Sequence, residues 1–175
     1  MESLERAFEE RDPDLLASLL DDGFWFTEEN CLGQLLYWSD KEEELELMGR
    51  GDSRRGVFGI FRKIEFDFWT SRRYEESGAD SPMEFEGDPD GHPEEDWLVF
   101  RGRVELLLLT KPDEGFFVDQ LMTFKLRQDE DGMWRIRRWV CDPLSRDCGE
   151  ASGRAAAESN SWGWVKAWVM AAASG

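Results

Sequence analysis

The chain has 175 residues, which is enough for one domain with a sizeable core. Its 39 acidic and 21 basic residues give a net charge of −18, which repels phosphate groups, so we expect neither nucleic acid nor an anionic membrane surface as a partner. The apolar fraction of 41%, with nine Trp and twelve Phe, is too high for a disordered chain.

The cysteines and the apolar runs bear on the compartment. Cys31, Cys141 and Cys148 are few, odd in number and without metal-ligand spacing, which favours reduced thiols in a cytosolic protein. A bridge between Cys141 and Cys148 stays open as an alternative. The first residues lack the apolar stretch of a signal peptide, and no eighteen uncharged apolar residues run together, so we expect a soluble protein.

Helix-start signals organise the first part of the chain. Asp12-Pro13 combines an N-cap residue with proline at the first helical position, which predicts a helix that ends near Gly23. We predict a short strand at 24–27 and a loop at 28–38. Two overlapping capping boxes then open a third helix over 39–48.

From Lys63 onward the apolar residues recur with period two, which is typical of half-buried strands. We predict strands at 63–68, 97–110, 116–128 and 134–140. Between the first two, residues 75–96 hold ten acids and no Lys or Arg, which indicates a long solvated loop. Gly132 suits a positive φ in the last hairpin turn.

The last strand has two interpretations. Trp134 and Ile136 face inward if the alternation is regular, and Arg138 then breaks an apolar stripe. A bulge after Ile136 would instead turn Trp139 inward and Arg138 to solvent. After residue 142 the composition changes to Gly, Ala, Ser and Trp, and we treat 143–175 as a separate tail that contains a docking helix or covers a second subunit.

This order of elements resembles the nuclear transport factor 2-like family, also called SnoaL-like. The most specific matching segments are Leu15–Phe24 and Gly132–Ile136, within a resemblance that spans residues 1–142. The resemblance implies an α+β domain in which a cone-shaped, curved antiparallel sheet packs against N-terminal helices and encloses an open apolar pocket. Members of the family often form homodimers, so we expect a homodimer here. Family members include isomerases, dehydratases and non-catalytic binding modules, so the fold does not select a function.

Two polar residues break apolar stripes and are the candidates to orient a ligand. Gln120 lies between Val118 and Met122, and Arg138 would suit an anionic group through bidentate bonding. Structural pairing is the commoner role for such residues. We assign the walls of the predicted binding pocket to the following aromatic residues: Trp38, Phe66, Phe68, Phe100 and Phe124.

Candidates for proton transfer are weaker. Tyr37 falls in the predicted loop, Asp67 and Asp119 fall on the polar sides of their strands, and His92 lies in the acidic loop. For each of them a surface role is the commoner one. The single histidine permits neither a pair of histidine metal ligands nor a triad with a second histidine, and no phosphate loop or nucleophile elbow occurs, so we expect no cofactor and no metal.

Three functional hypotheses follow. The leading one is a cytoplasmic, non-catalytic domain that binds a small apolar ligand and forms a homodimer, because no inward acid or histidine is predicted. The second is an isomerase or dehydratase that uses one of the four residues above, after a one-residue change of strand register. The third is a dimerisation module with a filled interior, which the consecutive Phe116 and Phe117 would suit.

Overall fold

The computed structural model describes residues 1–30, 32, 34–51, 54–80, 92, 95–142 and 160–173, and a six-stranded sheet forms its centre. The strands are β1 (Leu20–Glu29), β2 (Leu35–Asp40), β3 (Lys63–Glu76), β4 (Trp97–Lys111), β5 (Glu114–Gln128) and β6 (Trp134–Cys141). They lie in the order β2-β1-β6-β5-β4-β3. Neighbours are antiparallel except β1 and β6, which run parallel.

The helices are α1 (Glu2–Glu9), α2 (Pro13–Leu19), α3 (Lys41–Met48), α4 (Val57–Ile60) and α5 (Trp162–Ala173). The predicted start of α2 is confirmed, since the Asp12 carboxylate accepts bonds from the backbone N–H groups of Asp14 and Leu15. Of the two possible capping boxes, the chain uses the one formed by Asp40 and Glu43 to open α3. Within the described residues, no helix is long and apolar enough to cross a membrane.

The loop predicted at 28–38 is wrong, because most of this segment is strand. β1 continues to Glu29, and β2 begins at Leu35 and pairs with it. The side chain of Asn30 accepts bonds from the N–H groups of Leu32 and Gln34, 2.9 Å each, and so closes the reversal. This reversal brings Tyr37 and Trp38 into the sheet.

The long antiparallel meander is confirmed over β3, β4 and β5. Phe66, Leu106 and Val118 are paired across these strands and lie on one face, where they are buried against the helices. We call this the inner face and the opposite side of the sheet the outer face. Gly102 lets β3 and β4 approach closely, since a Cβ there would lie 2.3 Å from the Trp69 carbonyl oxygen.

The bulge considered for β6 is present. The register of β5 and β6 shifts so that Arg137 has no partner, and Trp139 then lies on the inner face, fully buried. Arg138 faces the other way, but it is only 4% exposed rather than solvated. Trp134 shares the face of Ile136, as predicted, but it lies at the start of β6, beside the hairpin turn, and is 43% exposed rather than buried. The predicted positive φ of Gly132 is confirmed at 77°.

Part of the acidic segment is ordered differently from the prediction. β3 extends to Glu76, and a single 3-10 turn follows at Gly78–Asp80. Residues 81–91, 93 and 94 of the predicted loop lie outside the described residues.

Candidate functional site

Helix α5 occupies the space between the inner face of the sheet and the N-terminal helices. Trp162, Val165, Lys166 and Val169 of this helix are between 0% and 1% exposed. The ring of Trp162 lies 6.0 Å from the ring of Phe8 in α1. The space that the family resemblance assigns to an open pocket therefore holds side chains of the same chain.

A buried ion pair lies at the centre of this contact. Lys166 Nζ is 2.7 Å from Glu44 Oε2 of α3, and neither side chain is exposed. The Ser39 hydroxyl donates to the same carboxylate oxygen at 2.6 Å. Among the described residues, the second oxygen, Glu44 Oε1, has no hydrogen-bond donor. Burial lowers the pKa of Lys166, and the neighbouring Glu44 carboxylate offsets part of this effect.

Aromatic rings surround the same ammonium group. Lys166 Nζ lies 3.2 Å from the ring centroid of Phe26, 5.4 Å from those of Trp139 and Trp162, and 5.6 Å from that of Tyr37. These distances are within the range in which the negative face of an aromatic ring attracts a cation. The ammonium group thus has one carboxylate partner and four aromatic neighbours.

Two polar side chains of the sheet hold the first turn of α5. The Trp162 N–H donates to Gln120 Oε1 at 3.1 Å, and the Gly163 N–H donates to Glu28 Oε2 at 2.7 Å. Gln120 Nε2 donates in turn to the Asp142 carbonyl oxygen at 2.7 Å. A carboxylate at a helix N-terminus is favourable, because the backbone N–H groups there carry partial positive charge. The oxygen and the nitrogen of the Gln120 side-chain amide are therefore both hydrogen-bonded to backbone groups of the chain.

Cys141 borders this cluster as a buried thiol. Burial raises the pKa of Cys141 well above its ordinary value, and the nearby Glu28 carboxylate adds to the effect. Since the thiolate is the reactive form of cysteine, this thiol is chemically quiet at neutral pH.

The predicted aromatic pocket residues divide between core and surface. Phe66 and Phe124 are core residues, with ring contacts of 4.8 Å to Phe8 and 5.0 Å to Trp139 respectively. Phe68 is partly buried and lies edge-on to Phe124 at 5.4 Å. Phe100 is half-buried, with the Arg73 guanidinium 5.4 Å from its ring centroid.

The two remaining predicted binding residues lie on the outer face. Trp38 is 46% exposed and stacks on Trp25 at 4.8 Å. Arg138 donates to the Trp25 carbonyl oxygen at 3.1 Å and to the Thr27 hydroxyl at 3.4 Å. Because Gln120 is on the inner face, the structure does not bring Gln120 and Arg138 to one ligand position.

The acids considered for proton transfer point away from the interior. Asp119 accepts two bonds of 2.7 Å from the Arg103 guanidinium on the outer face. Asp67 is exposed on the same face.

Tyr37, in contrast, lies on the inner side, where its hydroxyl donates to Met170 Sδ at 3.4 Å. Burial raises the pKa of Tyr37, and the charge of Glu44 contributes further.

His92 is buried, so the prediction that it is solvent-exposed is wrong. It is 3% exposed, and its ring stacks on Trp97 at 3.9 Å. His92 Nε2 lies 2.7 Å from Glu76 Oε1, and Nδ1 lies 2.8 Å from the Glu95 carbonyl oxygen. Lys125 Nζ is 3.0 Å from the same Glu76 oxygen. Burial alone would raise the pKa of Glu76, but the bonds from His92 and Lys125 lower it. His92, Glu76 and Lys125 thus form a polar cluster on the outer face. No local sequence pattern indicates that His92 stacks on Trp97.

The interior contains ionisable residues that the sequence analysis missed. No inward acid was expected, and this expectation is wrong, because Glu28 and Glu44 both point inward. Glu28 follows Phe24 and Phe26 with period two. A predicted strand that extended one residue beyond 24–27 would therefore have placed Glu28 on the inner face. Lys166 is the one charged residue in the apolar helix α5. Glu44 has no comparable signal, because it lies within a run of acids in α3.

A groove lies beside the interior, between β2, α3 and α5. Its volume is about 940 Å³. Its apolar lining consists of Tyr37, Trp38, Leu45, Leu47, Val169 and Met170, and the polar residues at its margin include Glu42, Glu46, Arg50 and Arg55. Trp38 is the one member of the predicted binding set in this lining. Among the described residues, no cluster of three His, Cys, Asp or Glu side chains could hold a metal ion.

No family model matches the sequence, and no curated protein matches it. Among solved structures, a “putative aromatic ring hydroxylase” from Novosphingobium aromaticivorans is similar at 16% identity, over 82% of this chain and 83% of the other, with a TM-score of 0.54. A conserved protein from Planctomyces limnophilus is 15% identical over 81% and 88% of the two chains, with a TM-score of 0.51.

An NTF2-like protein of unknown function in nutrient uptake from Rhodospirillum rubrum is 19% identical over 82% and 93%, with a TM-score of 0.46. At these identities the similarity concerns the fold alone. Six strands in a curved, unclosed sheet, with helices packed on one face, are the architecture that the resemblance implied. The chain has the nuclear transport factor 2-like fold.

Proposed function

We propose that the protein is a non-catalytic small-molecule-binding domain whose ligand lies in the groove between β2, α3 and α5. The observation that carries this proposal is the groove itself, since its volume of about 940 Å³ is in the range of ligand pockets. The interior pocket expected from the resemblance is occupied by α5, so the groove replaces it as the candidate site.

The lining of the groove indicates the class of ligand. Tyr37, Trp38 and Met170 offer exposed or half-buried apolar surface, which favours a mostly apolar molecule. Arg50 belongs to the lining together with Glu42, Glu43 and Glu46, and its guanidinium group can bind a carboxylate or sulfonate through two parallel bonds. The ligand we expect is therefore an apolar molecule with one anionic group.

Several contacts favour binding over catalysis. Asp67, Asp119 and His92 lie on the outer face, away from both the groove and the interior. The inward acids Glu28 and Glu44 are 3% and 0% exposed, so neither reaches open space from which a substrate could exchange a proton. Tyr37, the fourth candidate for proton transfer, does line the groove, but burial raises its pKa above the ordinary value, which makes it a poor acid at neutral pH. The alternative of an isomerase or dehydratase would therefore require one of the other groups to become accessible.

The groove can be tested with 8-anilinonaphthalene-1-sulfonate, an apolar fluorescent probe with one sulfonate. Met170→Glu adds a negative charge inside the groove, where Met170 is 52% exposed, and should weaken probe binding about tenfold or more. Met133→Glu makes the same change at a residue that is 59% exposed outside the groove, and should leave the affinity unchanged. Circular dichroism checks that both variants are folded. Equal affinities in the two variants would rule out the groove as the site.

A homodimer is the second candidate, and the filled interior supports it because a module without an open pocket acts through its surface. Trp69 and Leu121 are 50% and 45% exposed on the outer face, on either side of Arg103. Exposed aromatic and aliphatic side chains around an arginine are enriched at protein interfaces. We propose that a second copy of the chain covers this face.

The cytoplasmic location suggested by the cysteines stays a prediction.

A further inference from the structure

We propose that the interior of the domain is a binding site for an organic ammonium ion, and that Lys166 of α5 occupies this site as an intramolecular ligand. This site adjoins the groove, since Tyr37 contributes to both, but it takes a cation where the groove takes an apolar anion. The ligand class is a primary alkylammonium, with an apolar chain beside the aromatic rings and its charged end at Glu44.

The carboxylate of Glu44 is the first observation. Its side chain is fully buried, and only one of its two oxygens is used, by Lys166 and Ser39. The other oxygen, Oε1, is buried without a donor among the described residues. A buried carboxylate oxygen without a partner is costly, so it can accept a further N–H from a ligand. A primary ammonium has three N–H groups to offer.

The aromatic neighbours are the second observation. Phe26, Tyr37 and Trp139 belong to β1, β2 and β6, so they do not depend on α5 for their positions in the sheet. They lie 3.2 to 5.6 Å from the Lys166 nitrogen. Aromatic rings around a desolvated cation are the usual means by which proteins recognise organic ammonium ligands.

The third observation concerns energetics. A buried ion pair is weak evidence for a role in stability, because replacing both partners with apolar residues is often neutral or stabilising. Packing alone would thus be served by an apolar residue at position 166, as it is at Val165 and Val169. The ammonium group at this position instead interacts with the Glu44 carboxylate and with the aromatic rings. A free alkylammonium ion would make the same two kinds of contact.

The polar anchors of α5 complete the site. Glu28 and Gln120 accept bonds from the first two N–H groups of the helix, at 2.7 and 3.1 Å. If α5 leaves, both acceptors remain in the sheet beside the aromatic rings. A free amine and α5 therefore compete for the same groups.

The test uses the full chain with Lys166→Ala, which removes a fragment equivalent to n-propylammonium. We expect n-propylammonium to bind this variant about tenfold or more tightly than propan-1-ol does, measured by calorimetry, and to raise its Tm. The double variant E44Q/K166A should lose this preference. Equal binding of the amine and the alcohol, or a preference that survives E44Q, would overturn the proposal.

Two further outcomes are decisive. Should K166A be unfolded alone, circular dichroism with added n-propylammonium gives the same readout: folding with the amine supports the site, and folding with neither compound refutes it. In the unsubstituted chain, n-hexylammonium at millimolar concentration should reduce hydrogen-exchange protection of α5, and hexan-1-ol should not. Unchanged protection of α5 would refute the competition. Probe binding in the groove is a separate measurement, so failure here leaves the proposed function untouched.

Discussion

At the scale of single residues, the buried pair of Lys166 and Glu44 is the feature with the largest expected effect. Both side chains are fully buried, and they lie 2.7 Å apart on elements far apart in the chain. The removal of one partner leaves the other charge buried and unpaired, whereas the removal of both does not. Single and double substitutions at positions 44 and 166 therefore distinguish an unpaired buried charge from the absence of both charges.

Lys166→Met should lower the free energy of unfolding by about 3–5 kcal/mol, because the Glu44 carboxylate would lose its cation. The double variant E44M/K166M should recover most of this loss. Lys63→Met is the control, since the Lys63–Glu65 pair is exposed and contributes about 1 kcal/mol or less. Urea denaturation measures all three, and a double variant no more stable than Lys166→Met would contradict the coupling.

Glu76 should make stability depend on pH. Its pKa in the folded state is lower than its ordinary value of 4.5, because the bonds from His92 and Lys125 outweigh burial. Between these two values the unfolded chain binds more protons, so stability rises with pH. The contribution is fully present above 4.5 and is lost as pH falls through the folded pKa.

Glu76→Gln should therefore flatten the acid side of the stability profile relative to the unsubstituted chain. Denaturant titrations on either side of pH 4.5 measure the difference. A variant profile with the same slope as the parent would show that Glu76 does not contribute.

At the scale of elements, helix α5 fills the interior space that the family resemblance assigns to an open pocket. The helical spacing of the apolar residues predicts a stripe of Val165, Trp168, Val169 and Ala172. The observed buried stripe instead runs through Trp162, Gly163, Val165, Lys166 and Val169. The difference is a rotation of the helix about its axis, set by the pairing of Lys166 with Glu44 and by the space at Gly163. The predicted boundary between domain and tail at residue 142 stays a prediction, since 143–159 lie outside the described residues.

Gly163 controls how closely α5 approaches the sheet. A Cβ at this position would lie 2.6 Å from Glu28 Oε2 and 3.1 Å from the Cβ of Tyr37. Gly163→Val should therefore weaken docking of α5 by about 1–3 kcal/mol. Hydrogen exchange should show reduced protection of the helix.

Ala167→Val is the matched control, because it puts the same β-branched residue on the exposed side of the same helix. It carries the small cost of a β-branched residue in a helix without the contact with Glu28. Because Gly→Val itself does not lower helix propensity, an equal loss of protection in both variants would contradict the role of the close approach at Gly163.

At the scale of the whole molecule, the acidic surface and the sheet's outer face govern association. A net charge of −18 keeps copies apart at low salt, and screening reduces this repulsion. The proposed dimer contact surrounds Arg103, which pairs with both Asp119 and Glu105, so this ionic group carries one excess negative charge. Association should consequently strengthen with ionic strength.

The double variant W69E/L121E should be monomeric at concentrations where the parent is a dimer, because two charges would replace the apolar side chains that flank Arg103. Met133→Glu is the control, since Met133 is equally exposed but lies at the far hairpin turn. Light scattering coupled to gel filtration measures the mass. A parent that is monomeric at all concentrations would contradict the dimer.

The α+β class, the caps of α2 and α3, and the long meander of β3, β4 and β5 could all be predicted from the sequence, because period-two alternation and capping are local signals. The sequence also allowed the bulge in β6, whose presence depends on the register of a neighbouring strand. The burial of His92 and the contact of Lys166 with Glu44, by contrast, depend on how the folded elements pack together. Such contacts join residues far apart in the chain, and burial of a charge is decided by partners that no local pattern contains.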